Sequence, residues 1–189
     1  MSIRCFVALN YSVAVTRRIA EEVERHKPTV GAGHKVVWVP PANLHVTLQF
    51  LGSIADDLVD GVATRLKPVG ARHAPFSLKA HGFGAFPSAE KPRVLWVGAD
   101  GGEALVKLQR DVEAAMHGLG LPKDDRPFHP HVTVARVKEL AAETALSWSS
   151  DADLGMSQAS EIVVYESRTL AKGSEYIARA RVALGKKEI

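Results

Sequence analysis

Two short segments, His45-Val46-Thr47-Leu48 and His131-Val132-Thr133-Val134, repeat one pattern 86 positions apart. A chain of this composition yields about 0.3 His-x-Thr matches by chance, so two in corresponding places are informative. Imidazole titrates near about pH 6.5, which lets one ring serve as a general base and another as a general acid. A threonine hydroxyl can donate a hydrogen bond to a non-bridging oxygen of a phosphate. Two of each are enough to hydrolyse an activated phosphodiester without a metal. A 2′,3′-cyclic phosphate is such a substrate, because its strained ring supplies part of the driving force. One imidazole would take a proton from water while the other protonates the leaving sugar oxygen.

Blander readings compete. A lone histidine on a strand is more often structural than catalytic, and only the pairing lifts these two above that background. His129 and His131 also form His-x-His, which can bind a metal with His45 as a third ligand. Threonine is a poor ligand, however, and no carboxylate stands at a comparable spacing. His26, His34, His73, His81 and His117 lie in polar or turn-like surroundings and are expected to be solvated. Cys5 sits in an apolar run and reads as a small core residue rather than a nucleophile.

The flanking sequence places the pairs on strands. Leu44 to Gly52 alternates, and so does His131 to Val137; turn residues precede each, Pro40-Pro41 in one case, Pro127 and Pro130 in the other. Side chains two apart share a face of a strand. Strict alternation then groups His45, Thr47 and Gln49 on one face, with Val46, Leu48 and Phe50 on the other. By the same parity His131 and Thr133 oppose Val132 and Val134. The apolar faces should pack under helices and the polar faces look into a cleft.

Around them the chain predicts a strand over 3–9 and a helix ended by Pro28, Gly31 and Gly33. A second helix is expected over about 55–66, then strands over 76–86 and 93–97. The second half repeats the order. A helix carries the stripe Leu105, Leu108, Val112, Ala115 and Leu119, a strand starts at His131, and a short helix is expected near 140–146. Strands over 159–170 and 175–184 close the chain, turning at Lys172-Gly173-Ser174. The fold class is α+β with mostly antiparallel pairing. If a pseudo-two-fold axis relates the halves, the two His-Thr pairs meet across the cleft.

Composition sets the remaining bounds. The 189 residues fit one domain made of two similar halves. One Cys excludes a disulfide framework and any Cys-rich zinc site. No apolar run nears the roughly 20 residues that cross a bilayer, and the N-terminus does not read as a secretory signal, so a cytoplasmic place is expected. A net charge of +3 leans toward an anionic partner without proving one. Nothing demands more than a monomer.

At these residues the sequence resembles the 2H phosphoesterase superfamily, and within it the RNA 2′,3′-cyclic phosphodiesterases once called 2′-5′ RNA ligases. The likeness extends to Arg4-Cys5-Phe6-Val7-Ala8, to Trp38 through Gly52, and to Phe83-Gly84-Ala85-Phe86-Pro87 with Pro92 through Gly98. It continues in Phe128 through Arg136 and in Glu166-Ser167, Leu170, Gly173 and Tyr176. The resemblance implies a bilobal fold with pseudo-two-fold duplication, two antiparallel sheets lining a central cleft and helices outside. It implies metal-independent hydrolysis of RNA or oligonucleotide ends bearing a 2′,3′-cyclic phosphate to 2′-phosphomonoesters, with no cofactor. By analogy His45 is the acid at the leaving 3′ oxygen and His131 the base that activates water. Thr47 and Thr133 would hold the phosphate, with Arg136 adding positive charge. Parity puts Arg136 on the apolar face, so a bulge or the strand's end must turn it inward. By the same parity Phe50 faces the packed side and is not offered as a base-stacking residue. Rival readings are an RNA-binding module without turnover and the reverse reaction, joining ends into a 2′-5′ linkage at the same site.

Overall fold

Strands and helices alternate from the first residues. The computed structural model describes residues 1–31, 34–123, 125–140, 148, 151–170 and 173–185. The strands are β1 (Ser2–Leu9), β2 (Lys35–Trp38), β3 (Val46–Ala55), β4 (Phe76–Phe86), β5 (Val94–Asp100), β6 (His131–Glu139), β7 (Asp153–Ala159), β8 (Glu161–Leu170) and β9 (Gly173–Ala183). The α-helices are α1 (Val13–Gly31), α2 (Leu58–Arg72) and α3 (Gly102–His117). Each helix buries one stripe: Val15, Ile19 and Val23 on α1, Val59, Val62 and Leu66 on α2, Leu105, Leu108 and Val112 on α3. That spacing of three and four is what an amphipathic helix needs to cover a sheet.

The strand order is β7-β4-β5-β6-β3-β1-β8-β9, with β2 added to β6, and the pairings are antiparallel. The strands form one nine-stranded sheet instead of the two expected, and its two lobes join edge to edge through one residue pair, Val46 opposite Val132. The order reads the same from either side of that pair: β3 and β1 mirror β6 and β5. The lobes are not the halves of the sequence. β4 lies in the lobe of β5 and β6, whereas β8 lies beside β1, so the chain crosses between lobes.

Several sequence expectations need correction. Pro28 does not end α1 but lies inside it, and α2 runs past Pro68 to Arg72. Both prolines are on the exposed face, as are Glu24 and Thr64 four residues earlier. The carbonyls that lose an N–H partner can therefore be met by water. β2 and β7 are additional strands; the first is four residues long, and the second, DLGMSQA, has little apolar content. His73 is buried, and its Nε2 meets Asp111 Oδ2 at 2.8 Å, joining α2 to α3. His26 is half-buried against the rings of Phe83 and Trp148. The expected helix over 140–146 and the turn at Lys172 fall largely outside the described residues.

The largest correction concerns alternation. Along β1, Val7 pairs with Gln49 and Ala8 with Thr47, so Leu48 is an extra residue in β3. Along β5, Leu95 pairs with Ala135 and Trp96 with Thr133, so Val134 is the matching extra residue in β6. A bulge inserts one residue and reverses the parity beyond it. Leu48 and Val134 stand at the same distance after the bridge pair, so both halves carry the same device. Beyond it Gln49 turns inward and is 4% exposed, while Phe50 turns outward and is 56% exposed. Arg136, the counterpart of Phe50, is likewise exposed between buried Ala135 and Val137.

The β4–β5 hairpin depends on a close approach at Gly84. A Cβ there would lie 2.1 Å from the Trp96 ring, which in turn stands 5.1 Å from His129 and 6.4 Å from His131, centroid to centroid. Gly84→Ala is therefore expected to destabilise the fold by about 1–3 kcal/mol through overpacking, read as a lower urea midpoint at unchanged m-value. A wild-type midpoint would contradict this packing.

Candidate active site

Both histidines stand just where a turn enters a central strand. A 3₁₀ turn, Pro41–Asn43, delivers His45 to β3, and the Pro130-His131 step delivers His131 to β6. The Nδ1–H of His45 donates to the Asn43 carbonyl at 2.7 Å, and the Nδ1–H of His131 donates to the His129 carbonyl at 2.6 Å. A carbonyl can only accept, so in each ring the proton of the neutral form sits on Nδ1 and Nε2 keeps its lone pair. The Thr47 hydroxyl donates to Nε2 of His45 at 3.0 Å. Asn43 is itself anchored, its Nδ2 donating to the Ser174 carbonyl at 2.6 Å.

Aromatic walls hold the rings. His45 stacks on Phe6 at 4.7 Å and meets Tyr176 edge-on at 5.3 Å. His131 meets Phe86 edge-on at 5.1 Å. The hairpin that supplies Tyr176 is tied down by Glu166, whose carboxylate accepts from Arg168 and Arg179 at 2.6 Å each; Arg179 also reaches Asp56 at 2.7 Å. Beside the histidines lies a cleft of about 550 Å³ whose lining includes Thr47, His131, Thr133 and Arg136. Thr47, His131 and Thr133 reach the cleft from positions next to the bridge pair, the bulges add Phe50 and Arg136, and His45 stands beside Thr47 outside that lining. Among the described residues no three His, Cys, Asp or Glu side chains converge to hold an ion, so His45, His129 and His131 do not form the alternative ligand set.

The sequence matches the family model of the 2′-5′ RNA ligase superfamily over residues 6–166. The chain belongs to the 2′-5′ RNA ligase superfamily. It is 32% identical over 188 residues to the RNA 2′,3′-cyclic phosphodiesterase of Aquifex aeolicus (strain VF5), an alignment covering 97% of this chain and 98% of that one. Its fold is that of the protein TT0787 of Thermus thermophilus, with a TM-score of 0.84, 24% identity and coverage of 98% and 100%. It is also that of E. coli LigT complexed with 3′-AMP, with a TM-score of 0.79, 23% identity and coverage of 97% and 99%.

In this member of the superfamily the surroundings lower the pKa of both imidazoles in the free site. Burial pushes His45 down to about 4; the Asn43 carbonyl opposes that, and the charges of His131 and Arg136 add to it. Burial also lowers His131, opposed by the His129 carbonyl and reinforced by His129 and Arg136. Burial and the Glu166 carboxylate push the Cys5 thiol up to about 11, as suits a core residue. Sequence patterning alone does not reveal Arg93, Arg126 or Phe128, which also line the cleft, and it misplaces Phe50, whose ring is part of the wall. The usable signals were local: Arg126 and Phe128 flank Pro127 just ahead of His131, and Arg93 immediately precedes Val94, the residue that pairs with Arg136.

Imidazole NMR of the ligand-free protein should show the Nδ1–H tautomer at both positions and a His45 midpoint near 4. Phe6→Ala, which opens the ring to water, should move that midpoint upward. A wild-type midpoint at the ordinary value of about 6.5 would remove burial as the governing influence.

Proposed function

We propose that this protein is a metal-independent RNA 2′,3′-cyclic phosphodiesterase that opens terminal cyclic phosphates to 2′-phosphomonoesters. The observation that carries the reading is the duplicated arrangement of the histidines. Each ring is fixed through Nδ1 to a carbonyl two residues back, leaving Nε2 as its proton-exchanging atom. The curated relatives named RNA 2′,3′-cyclic phosphodiesterase support the substrate class.

In this reading His131 takes a proton from water, whose oxygen bonds to phosphorus. The P–O3′ bond breaks, and His45, protonated, delivers its proton to the departing O3′. A depressed pKa makes the His45 imidazolium a stronger donor to that alkoxide. Thr47, Thr133 and Arg136 hold the non-bridging oxygens as charge develops on them. The two Nε2 atoms must carry different protonation states, so the active form lies between the two pKa values. With a 5′-hydroxyl in the place of water, the same site would bond that oxygen to phosphorus, break P–O3′, protonate O3′ and leave a 2′-5′ linkage. The protein would act in the cytoplasm as a monomer.

His45→Ala and His131→Ala should each lower kcat by about 10²–10⁴-fold on a nucleoside 2′,3′-cyclic phosphate, with chelator present and the fold intact by circular dichroism. Full activity in either variant would end the proposal, and activity lost to chelator but restored by zinc would replace it with a metalloenzyme. Because both histidines are pushed down in the free site, the bell of kcat/KM should peak below the ordinary imidazole value. A bound phosphate anion stabilises imidazolium, so the bell of kcat should lie to its alkaline side. Coincident profiles would contradict this electrostatic account. Phe50→Ala should raise KM by roughly tenfold through lost stacking on the terminal base, with the loss shared by all four bases.

A further inference from the structure

The duplication extends behind the sheet. Buried Ile19 and Val23 of α1 match buried Leu108 and Val112 of α3, so Ala20 matches Gln109 and Glu24 matches Glu113. In the first half a crevice of about 180 Å³ lies along α1, lined by Ala20, Glu24, Trp38 and Val134, and it stands apart from the cleft. In the second half the corresponding space runs into the active-site cleft, and its walls include Leu48, Gln49, Gln109 and Glu113. Leu48 and Val134 are the two bulge residues, so the spaces are symmetry mates with different fates.

The crevice beside α1 carries Glu24 and Lys27 at its wall, but amide side chains, Gln49 and Gln109, line only the open one. Gln109 is 9% exposed, stands where the mate has alanine, and makes no side-chain hydrogen bond with any described residue. Gln49 is 4% exposed; its Nε2 donates to the Pro122 carbonyl at 3.0 Å, and its Oε1 has no partner among the described residues. An amide on a cleft wall with no protein partner is left to pair with a ligand. Glu113 adds a carboxylate whose Lys123 partner is 3.8 Å away, on the wall of a cleft that otherwise carries arginines. An acceptor-rich end is the wrong chemistry for phosphate and the right chemistry for a donor-rich base edge.

We propose that this end of the cleft reads the base of the terminal nucleotide and is built for guanine. The assignment rests on the cyclic phosphodiesterase reading above. Guanine presents two nitrogens bearing three hydrogens beside one carbonyl oxygen. The Glu113 carboxylate accepts from both nitrogens, and the Gln109 amide donates to O6. Uracil has one N–H between two carbonyls, and adenine and cytosine have one amino group beside an acceptor, so each leaves an acceptor of this wall unmet.

The test compares wild type, Gln109→Leu and Glu113→Gln in two measurements. One is kcat/KM on the four nucleoside 2′,3′-cyclic phosphates; the other is calorimetric binding of 2′-GMP and 2′-UMP. Wild type should favour guanosine over uridine by roughly tenfold in both, and each variant should bring the ratio close to one. Turnover of all four nucleotides with no guanosine preference, or a preference that both variants retain, overturns the guanine assignment and leaves the enzymatic reading standing. Guanosine-selective binding that the variants abolish, in a protein that hydrolyses none of the four, upholds the base subsite and overturns the hydrolytic reading. Neither turnover nor selective binding overturns both.

Discussion

Val46 opposite Val132 is a single pair of residues, and the relative placement of every group proposed for catalysis follows from it. The pair fixes the register of β3 against β6, and register in a ladder determines which face each side chain takes. One residue before the pair stand His45 and His131; one residue after stand Thr47 and Thr133. Because the pairing is antiparallel, the strands leave it in opposite directions, which turns a local repeat in sequence into a two-fold arrangement in space. Both valines are completely buried. A shift of one position would send both threonines into the core and both valines into the cleft. The hydrophobic penalty for that slip is what makes one bridge sufficient.

Burial also governs the proton chemistry. The rings of Phe6, Tyr176 and Phe86 keep water from the imidazoles and resist rotation, and the same desolvation lowers both pKa values. Arg136 works in the same direction in the free site. An anion reverses that balance: it neutralises the guanidinium's effect and gives imidazolium a counter-charge. The protonated acid is thereby favoured when a phosphate is present. The carbonyls of Asn43 and His129 act as the fixed element, holding Nδ1–H through either state of Nε2.

How much of this was legible in the sequence divides along physical lines. Side-chain identity and local period were enough for β1, β4 and α3, and for the paired His-Thr strands, because those features are written in consecutive residues. Bulges are not. Whether Leu48 is paired or extra depends on what β1 presents opposite it, and no local pattern in β3 contains that information. The parity of Phe50 was therefore inverted, while Arg136 reached the cleft by the bulge that its family role required. The prolines misled for a related reason. Pro28 was read as a helix end, but its exposed face leaves the freed carbonyl to solvent, and Pro68 lies inside α2 on an exposed face in the same way. His73 looked solvated because its partner, Asp111, is brought to it only by the packing of α2 on α3.

The duplication is most informative where it fails. Equivalent positions carry histidine, threonine and a bulge in both halves, and in the proposed reaction proton transfer and phosphate binding would each use two similar groups on opposite sides of one phosphorus. A nucleotide, however, has a base at one end and a leaving oxygen in a defined direction. A symmetric cleft would accept it in two orientations, only one of which presents O3′ to a given imidazole. Phe50 facing Arg136 across the pseudo-dyad removes that degeneracy: a ring on one side attracts a base, and a guanidinium on the other attracts an anion. The open crevice beside α3 reinforces the same polarity, because its mate beside α1 stands apart from the cleft. Asymmetry at these positions would thus give two nearly identical histidines different work in the proposed reaction.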